Sequence, residues 1–281
     1  MAQDIWTKLS KIDRKWIFLV LWASVLLPFL YSFSLPLTIS NLSRDYYNYL
    51  KDMPEGSTIC YFWDVSFAGW SEMEGCGVAT QKMLFRLMEQ KNCKIIMVGM
   101  RGDCGPLPEL VFKALGYHPT QNPEYGEMYV HLGWIPGGSV GMSNWCKDIR
   151  SVNPIDWWGT PLDDLPVMQG INDVSDLDLV LQIESGGVGV VINQVVVPYN
   201  TPYLAISIAN NVPGNLPLLD AGLITGMLAG IRGGAEMEQL MGYSGVGNTN
   251  ITAISTTHLT IIAFMVIANI TYYIRKGRGE I

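Results

Sequence analysis

The sequence predicts an α/β protein: a doubly wound, mostly parallel sheet of about five strands, flanked by an N-terminal and a C-terminal transmembrane helix. Three observations predict it. Residues 176–211, DLDLVLQIESGGVGVVINQVVVPYNTPYLAISIANN, read as strand, glycine turn, short helix and strand, a β-α-β unit whose two strands are near-continuous apolar runs. Apolar runs of strand length alternate with helical patterns through the rest of the middle, which implies a layered parallel sheet. At either end lies an uncharged segment long enough to cross a bilayer.

Composition supports the division. The chain has 281 residues, 49% of them hydrophobic and only 15% charged, against about 25% charged in typical soluble proteins. Charge is unevenly placed. Lys8, Lys11, Arg14 and Lys15 precede the first apolar segment, and Arg275, Lys276 and Arg278 follow the last. The residues between carry 11 basic against 22 acidic side chains. Such an acidic middle repels nucleic acid, so none is expected as a partner.

In chain order, residues 1–15 form a basic tail and 16–37 a transmembrane helix, WIFLVLWASVLLPFLYSFSLPL, containing Pro28. Leu42–Met53 reads as a short amphipathic helix. Thr58–Val65 is the first strand, Gly77–Gln90 a helix, and Lys94–Met100 the second strand. A helix over Leu107–Leu115 is closed by Gly116. Met128–Ile135 is the third strand, Val140–Ile149 a short helix, and 151–170 a loop rich in Pro, Asp and Trp. The β-α-β unit adds the fourth and fifth strands, Leu177–Ile183 and Tyr203–Ala209, joined by a helix over Val188–Val197. The second span is Ile254–Ile274, with Tyr272 and Tyr273 at the interface and residues 275–281 as a basic stop. The positive-inside rule then places both termini in the cytoplasm and the domain of residues 38–253 outside it, in a multi-pass protein of the cell membrane.

Residues 220–232, DAGLITGMLAGIR, read as one further helix, in which Gly222, Gly226 and Gly230 recur every fourth residue. That spacing sets them on one helix face as a groove for close backbone approach, to the protein's own sheet, to another protomer or at the membrane surface.

In an open parallel sheet, ligands bind outside the carboxyl ends of the strands. Those ends bring Asp64, Arg101, Asp103, Gly137, Gly138, Glu184, Ser185, Gly186, Gly187, Asn210 and Asn211 to one edge. A carboxylate, a guanidinium and a glycine turn converging there would make a polar pocket. The turn Ser185–Gly189 opens a helix whose N-H groups could hold an anion, but it is neither GxGxxG nor a phosphate-binding loop. A strand ending in Ser-Gly-Gly is also similar to the oxyanion turn of membrane-bound serine peptidases of the ClpP/crotonase type. That chemistry needs a serine in a small-residue context on the next strand, which reads AISIANN instead. His118, His131 and His258 are scattered, and no HExxH or CxxC occurs, so no metal or other cofactor is expected. The five cysteines leave room for one or two disulfides in an oxidising compartment.

The chain resembles a family of uncharacterised prokaryotic two-span membrane proteins with an α/β domain between the spans. The resemblance is carried by Asp13-Arg-Lys, Pro54-Glu-Gly-Ser57, Leu132-Gly-Trp-Ile-Pro-Gly-Gly138, Gly159-Thr-Pro-Leu162, Gln194 to Tyr199, Ala229-Gly-Ile-Arg-Gly-Gly-Ala-Glu236 and His258. Where the family has Ala-Ala-Glu-Tyr-Glu, this chain has Gly234-Ala-Glu-Met-Glu238. The resemblance implies the architecture and no activity. The leading expectation is a structural or interaction module in a homo-oligomeric membrane assembly, or one formed with other membrane proteins. The alternative is a membrane-anchored enzyme or small-ligand receptor using the strand-end pocket.

Overall fold

Every residue of the run Thr58–Asp64 is buried, and its side chains divide between two cores, as expected of a strand covered on both faces. Ile59, Tyr61 and Trp63 enter one core, and Cys60 and Phe62 the other. This strand, β1, is one of the two central strands in a computed structural model that describes residues 5–31, 33 and 35–279. The first four and last two residues of the expected tails, and Ser32 and Ser34 of the expected first span, lie outside the described residues.

The sheet has six strands, all parallel: β1, β2 (Lys94–Gly99), β3 (Tyr129–Trp134), β4 (Leu179–Glu184), β5 (Tyr203–Ser207) and β6 (Gly226–Ala229). Their order is β3-β2-β1-β4-β5-β6. This is the order of doubly wound nucleotide-binding sheets, with its reversal between β1 and β4. We number the helices α1 (Arg14–Leu30), α2 (Asn41–Lys51), α3 (Phe67–Lys91), α4 (Pro106–Leu115), α5 (Gly138–Lys147), α6 (Gly189–Tyr199), α7 (Val212–Asp220), α8 (Gly230–Leu240) and α9 (Val246–Gly277). Tyr46 and Leu50 of α2, Leu84 and Leu87 of α3, Phe112 of α4 and Met237 of α8 share a core with Tyr61 and Trp63. Trp145 of α5 and Val191 and Val195 of α6 pack on the opposite face with Phe62. All five cysteines are buried and free, so the disulfides that an oxidising compartment would allow are not formed.

The expected helix over 220–232 is not one. Met227 and Leu228 lie in a sixth strand, β6, beside β5, and the three glycines occupy three different environments. Gly222 has φ +75° in the turn after α7. Gly226 lies in β6, where an added Cβ would sit 2.7 Å from Tyr46 Cα of α2. Gly230 begins α8 beside the Glu72 carboxylate. The close backbone approach expected of those residues occurs instead at Gly75 of α3, Gly234 of α8 and Gly247 of α9. An added Cβ on any one of them would fall 2.7 Å from the backbone of a neighbouring segment. Glu238 reinforces the junction, its carboxylate accepting the Gly245 and Gly247 N-H groups at 2.9 and 2.8 Å. A carboxylate at the start of a long helix is also attracted to the positive end of its dipole.

The chain divides into two compact units, Thr38–Gly247 and the two terminal segments, up to Leu37 and from Asn248. In the terminal unit, α9 is long and apolar enough to cross a membrane. It begins eight residues earlier than expected. Helix α1 is shorter than expected, with 17 residues ending at Leu30, a length of about 25 Å. It is capped by Asp13, whose side chain accepts the Lys15 N-H. The helix continues past Pro28, which has no N-H to offer the Ser24 carbonyl one turn back. The Thr256 hydroxyl of α9 donates to that carbonyl at 2.8 Å, satisfying the group that the proline leaves open.

This pairing has a measurable signature. Thr256→Val should lower the stability of the full chain in detergent by about 1 kcal/mol. In a Pro28→Ala background, where residue 28 regains its N-H, the same substitution should cost nothing. Equal costs in both backgrounds would show that the contact does not serve the open carbonyl.

Candidate functional site

The chain leaves β1 and β4 in opposite directions. From β1 it passes through α3 and α4 on one face, and from β4 through α6 and α7 on the other. The crevice this opens lies at the carboxyl ends of β1 and β4, where ligands of such sheets sit. Asp64 and Glu184 end these strands and stand opposite one another in register, and Ser207, which ends β5, stands opposite Glu184. Strand alternation puts all three on the face that carries Cys60 and Phe62.

Asp64 is held from two sides. Its Oδ1 accepts the Met100 N-H at 2.6 Å and its Oδ2 accepts Gln182 Nε2 at 2.8 Å. Gln182 Oε1 in turn accepts the Tyr203 hydroxyl at 2.7 Å, so a buried polar relay crosses from β5 through β4 to β1. Burial pushes the Asp64 carboxyl up from the ordinary 3.8 to about 6. The two hydrogen bonds and the Arg101 charge oppose that rise, and the neighbouring Glu184 adds to it.

Glu184 is fully buried. Its Oε2 accepts the Gly187 N-H at 2.6 Å and Asn211 Nδ2 at 2.9 Å, while Asn215 Nδ2 donates to Ser207 Oγ at 2.8 Å. Burial raises its pKa, and the hydrogen bonds it accepts oppose the rise. The chemical consequence is specific: the glycine turn before α6 does offer an N-H to an anion, and the protein's own carboxylate takes it.

The start of α3 is occupied in the same manner. Ser66 is its N-cap, accepting the Gly69 N-H at 3.1 Å, and the Ser66 N-H donates to Ser185 Oγ at 3.0 Å. The Phe67 N-H donates to Asp103 Oδ2 at 3.4 Å. Gly69 is tight against the same turn, since an added Cβ would meet Ser185 Cβ at 2.9 Å. Arg101 is exposed, with Nη1 beside Gly186.

Of the residues expected at the strand ends, Asp64, Arg101, Glu184, Ser185, Gly186 and Gly187 come together here, and Asp103 joins them through Phe67. Asn210 is exposed, and its neighbour Asn211 reaches Glu184 instead. The sequence reading missed Ser66, Gln182, Tyr203, Ser207 and Asn215. Gln182 had a signal, being the one amide in the apolar strand LVLQIE. His131 is buried between the Met97 and Gly105 carbonyls, and burial lowers its pKa to about 4, so it is a packed core group. Among the described residues no three His, Cys, Asp or Glu side chains cluster as metal ligands would. Comparison with protein-family models, curated proteins and solved structures found no match to the chain.

The raised Asp64 pKa fixes a pH dependence. Below about pH 4 the carboxyl is protonated in the folded and unfolded chain alike. As pH rises the unfolded carboxyl ionises first, while the folded one keeps its proton to about pH 6. Stability therefore falls across that window, by on the order of 3 kcal/mol, and is flat above it. Asp64→Asn should remove this slope in urea titrations of the full chain in detergent at pH 4 to 7. A slope unchanged by the substitution would contradict the assignment.

Proposed function

We propose that the chain is a two-span membrane protein with both termini in the cytoplasm. Its outer α/β domain serves as a structural or interaction module in a homo-oligomeric membrane assembly, or in one shared with other membrane proteins. The observation that carries this reading is the self-filled crevice. Glu184 holds the N-H of the glycine turn, and Ser185 and Asp103 hold the N-H groups of Ser66 and Phe67. Groups that would bind an incoming anion are spent on the fold itself.

Three further features support it. Trp16, Phe18, Trp22 and Phe29 of α1 are exposed, as are Ile262, Met265 and Tyr273 of α9, which suits helices solvated by lipid. The Thr256 bond to the Ser24 carbonyl answers the requirement that every backbone polar group in a bilayer be satisfied. Leu110, Trp134, Val140, Ile155 and Trp157 of the α/β domain are exposed, apolar surface that a partner could cover. The resemblance to two-span proteins points the same way. A second reading, a membrane-anchored enzyme or small-ligand receptor, has one observation in its favour: the exposed Arg101 stands beside the glycine turn of a crevice in which burial raises the Asp64 pKa to about 6.

Mass photometry of the full chain in detergent separates the two. The module reading expects particles at a multiple of the 31.2 kDa chain mass, reduced toward single chains by Leu110→Asp with Val140→Asp. A strictly monomeric particle at every concentration would sink it.

A further inference from the structure

Within the terminal unit, a cavity of about 510 Å³ lies between the segment preceding α1 and the last turns of α9. This is the volume of a small-molecule site rather than of a packing defect. Leu9, Ile17, Phe264 and Ile267 line it with hydrocarbon. At one side stands Arg275, whose Nη1 donates to Ser10 Oγ at 2.9 Å.

The second observation is Thr271, which also lines the cavity. Threonines of a helix ordinarily donate to a carbonyl one turn back, as Thr257 and Thr260 of this same helix do. Thr271 does not. It is only 3% exposed, and its Oγ1 meets no hydrogen-bond partner. A hydroxyl buried without a partner is unfavourable, and a turn of the Thr271 side chain toward the cavity would give it a ligand oxygen.

The charge around the site selects the ligand. Lys8, Lys11 and Arg14 flank the cavity's N-terminal wall in sequence, Lys15 is paired with Asp13 at 3.6 Å, and Lys276 and Arg278 follow Arg275. We propose that the cavity takes an acyl chain of an anionic phospholipid, with the phosphate at Arg275 and an ester or phosphate oxygen accepting from the Thr271 hydroxyl. The proposal rests on the reading of α1 and α9 as membrane spans.

The test is native mass spectrometry of the full chain in detergent, titrated with dioleoylphosphatidylglycerol or dioleoylphosphatidylcholine. We expect one tightly held lipid per chain, with the anionic lipid preferred by roughly fivefold for each basic side chain engaged. Arg275→Gln should reduce the preference while leaving the melting of the α/β domain unchanged. Ala268→Phe, which fills the cavity, should abolish retention of both lipids. Equal retention of the two lipids by the native chain, or unchanged binding in Ala268→Phe, would overturn the lipid site. A chain that stays soluble once detergent is removed would overturn the span reading as well, and that is seen before any lipid is added.

Discussion

Two carboxylates end the two central strands of a parallel sheet, side by side and out of water. That constraint organises the crevice. A buried ionised carboxylate is tolerable only where donors surround it. Here the donors come from four directions: the Met100 and Gly187 N-H groups, the Gln182 amide and the Asn211 amide. Each belongs to a segment that must then lie close to the strand ends. The glycine turn wraps onto Glu184 rather than opening outward, and the loop after β5 is drawn in by Asn211 and Asn215. The relay through Gln182 to Tyr203 locks the register of three strands, because a one-residue slip would turn every one of these polar groups to the other face.

A second constraint acts where the α/β domain leads into α9. Gly75, Gly234 and Gly247 let three backbones touch, so α8 and the first residues of α9 are fixed on α3 without intervening side chains. Glu238 binds the same junction by accepting two N-H groups ahead of the long helix. The first residues of α9 are thereby part of the domain's own packing.

Much of the sheet was legible in the sequence because covered strands leave continuous apolar runs, and those of β1, β2, β3, β4 and β5 were located to within a residue or two at most of their ends. β6 was not. It has four residues, begins with glycine, and falls among glycines whose four-residue spacing imitates a helix face. The first ten residues of α3, FAGWSEMEGC, escaped for a related reason: one of its glycines makes the contact that packing requires, so no apolar period marks the helix. The strand-end carboxylates could be named from position, yet their meaning could not. That Glu184 turns inward to a glycine N-H, and that Asn211 rather than Asn210 supports it, depends on pairings between segments far apart in the chain. Such pairings leave no local pattern.

The protein's own groups occupy the N-H donors of the crevice, and direct ligand titration tests this. The full chain in detergent, followed by tryptophan fluorescence during addition of NAD, ATP or FMN, should show no saturable binding tighter than about 1 mM, worth only about 4 kcal/mol. Saturable binding of any of them at micromolar concentration would contradict the account, because it would mean that an incoming phosphate displaces Glu184 from the turn.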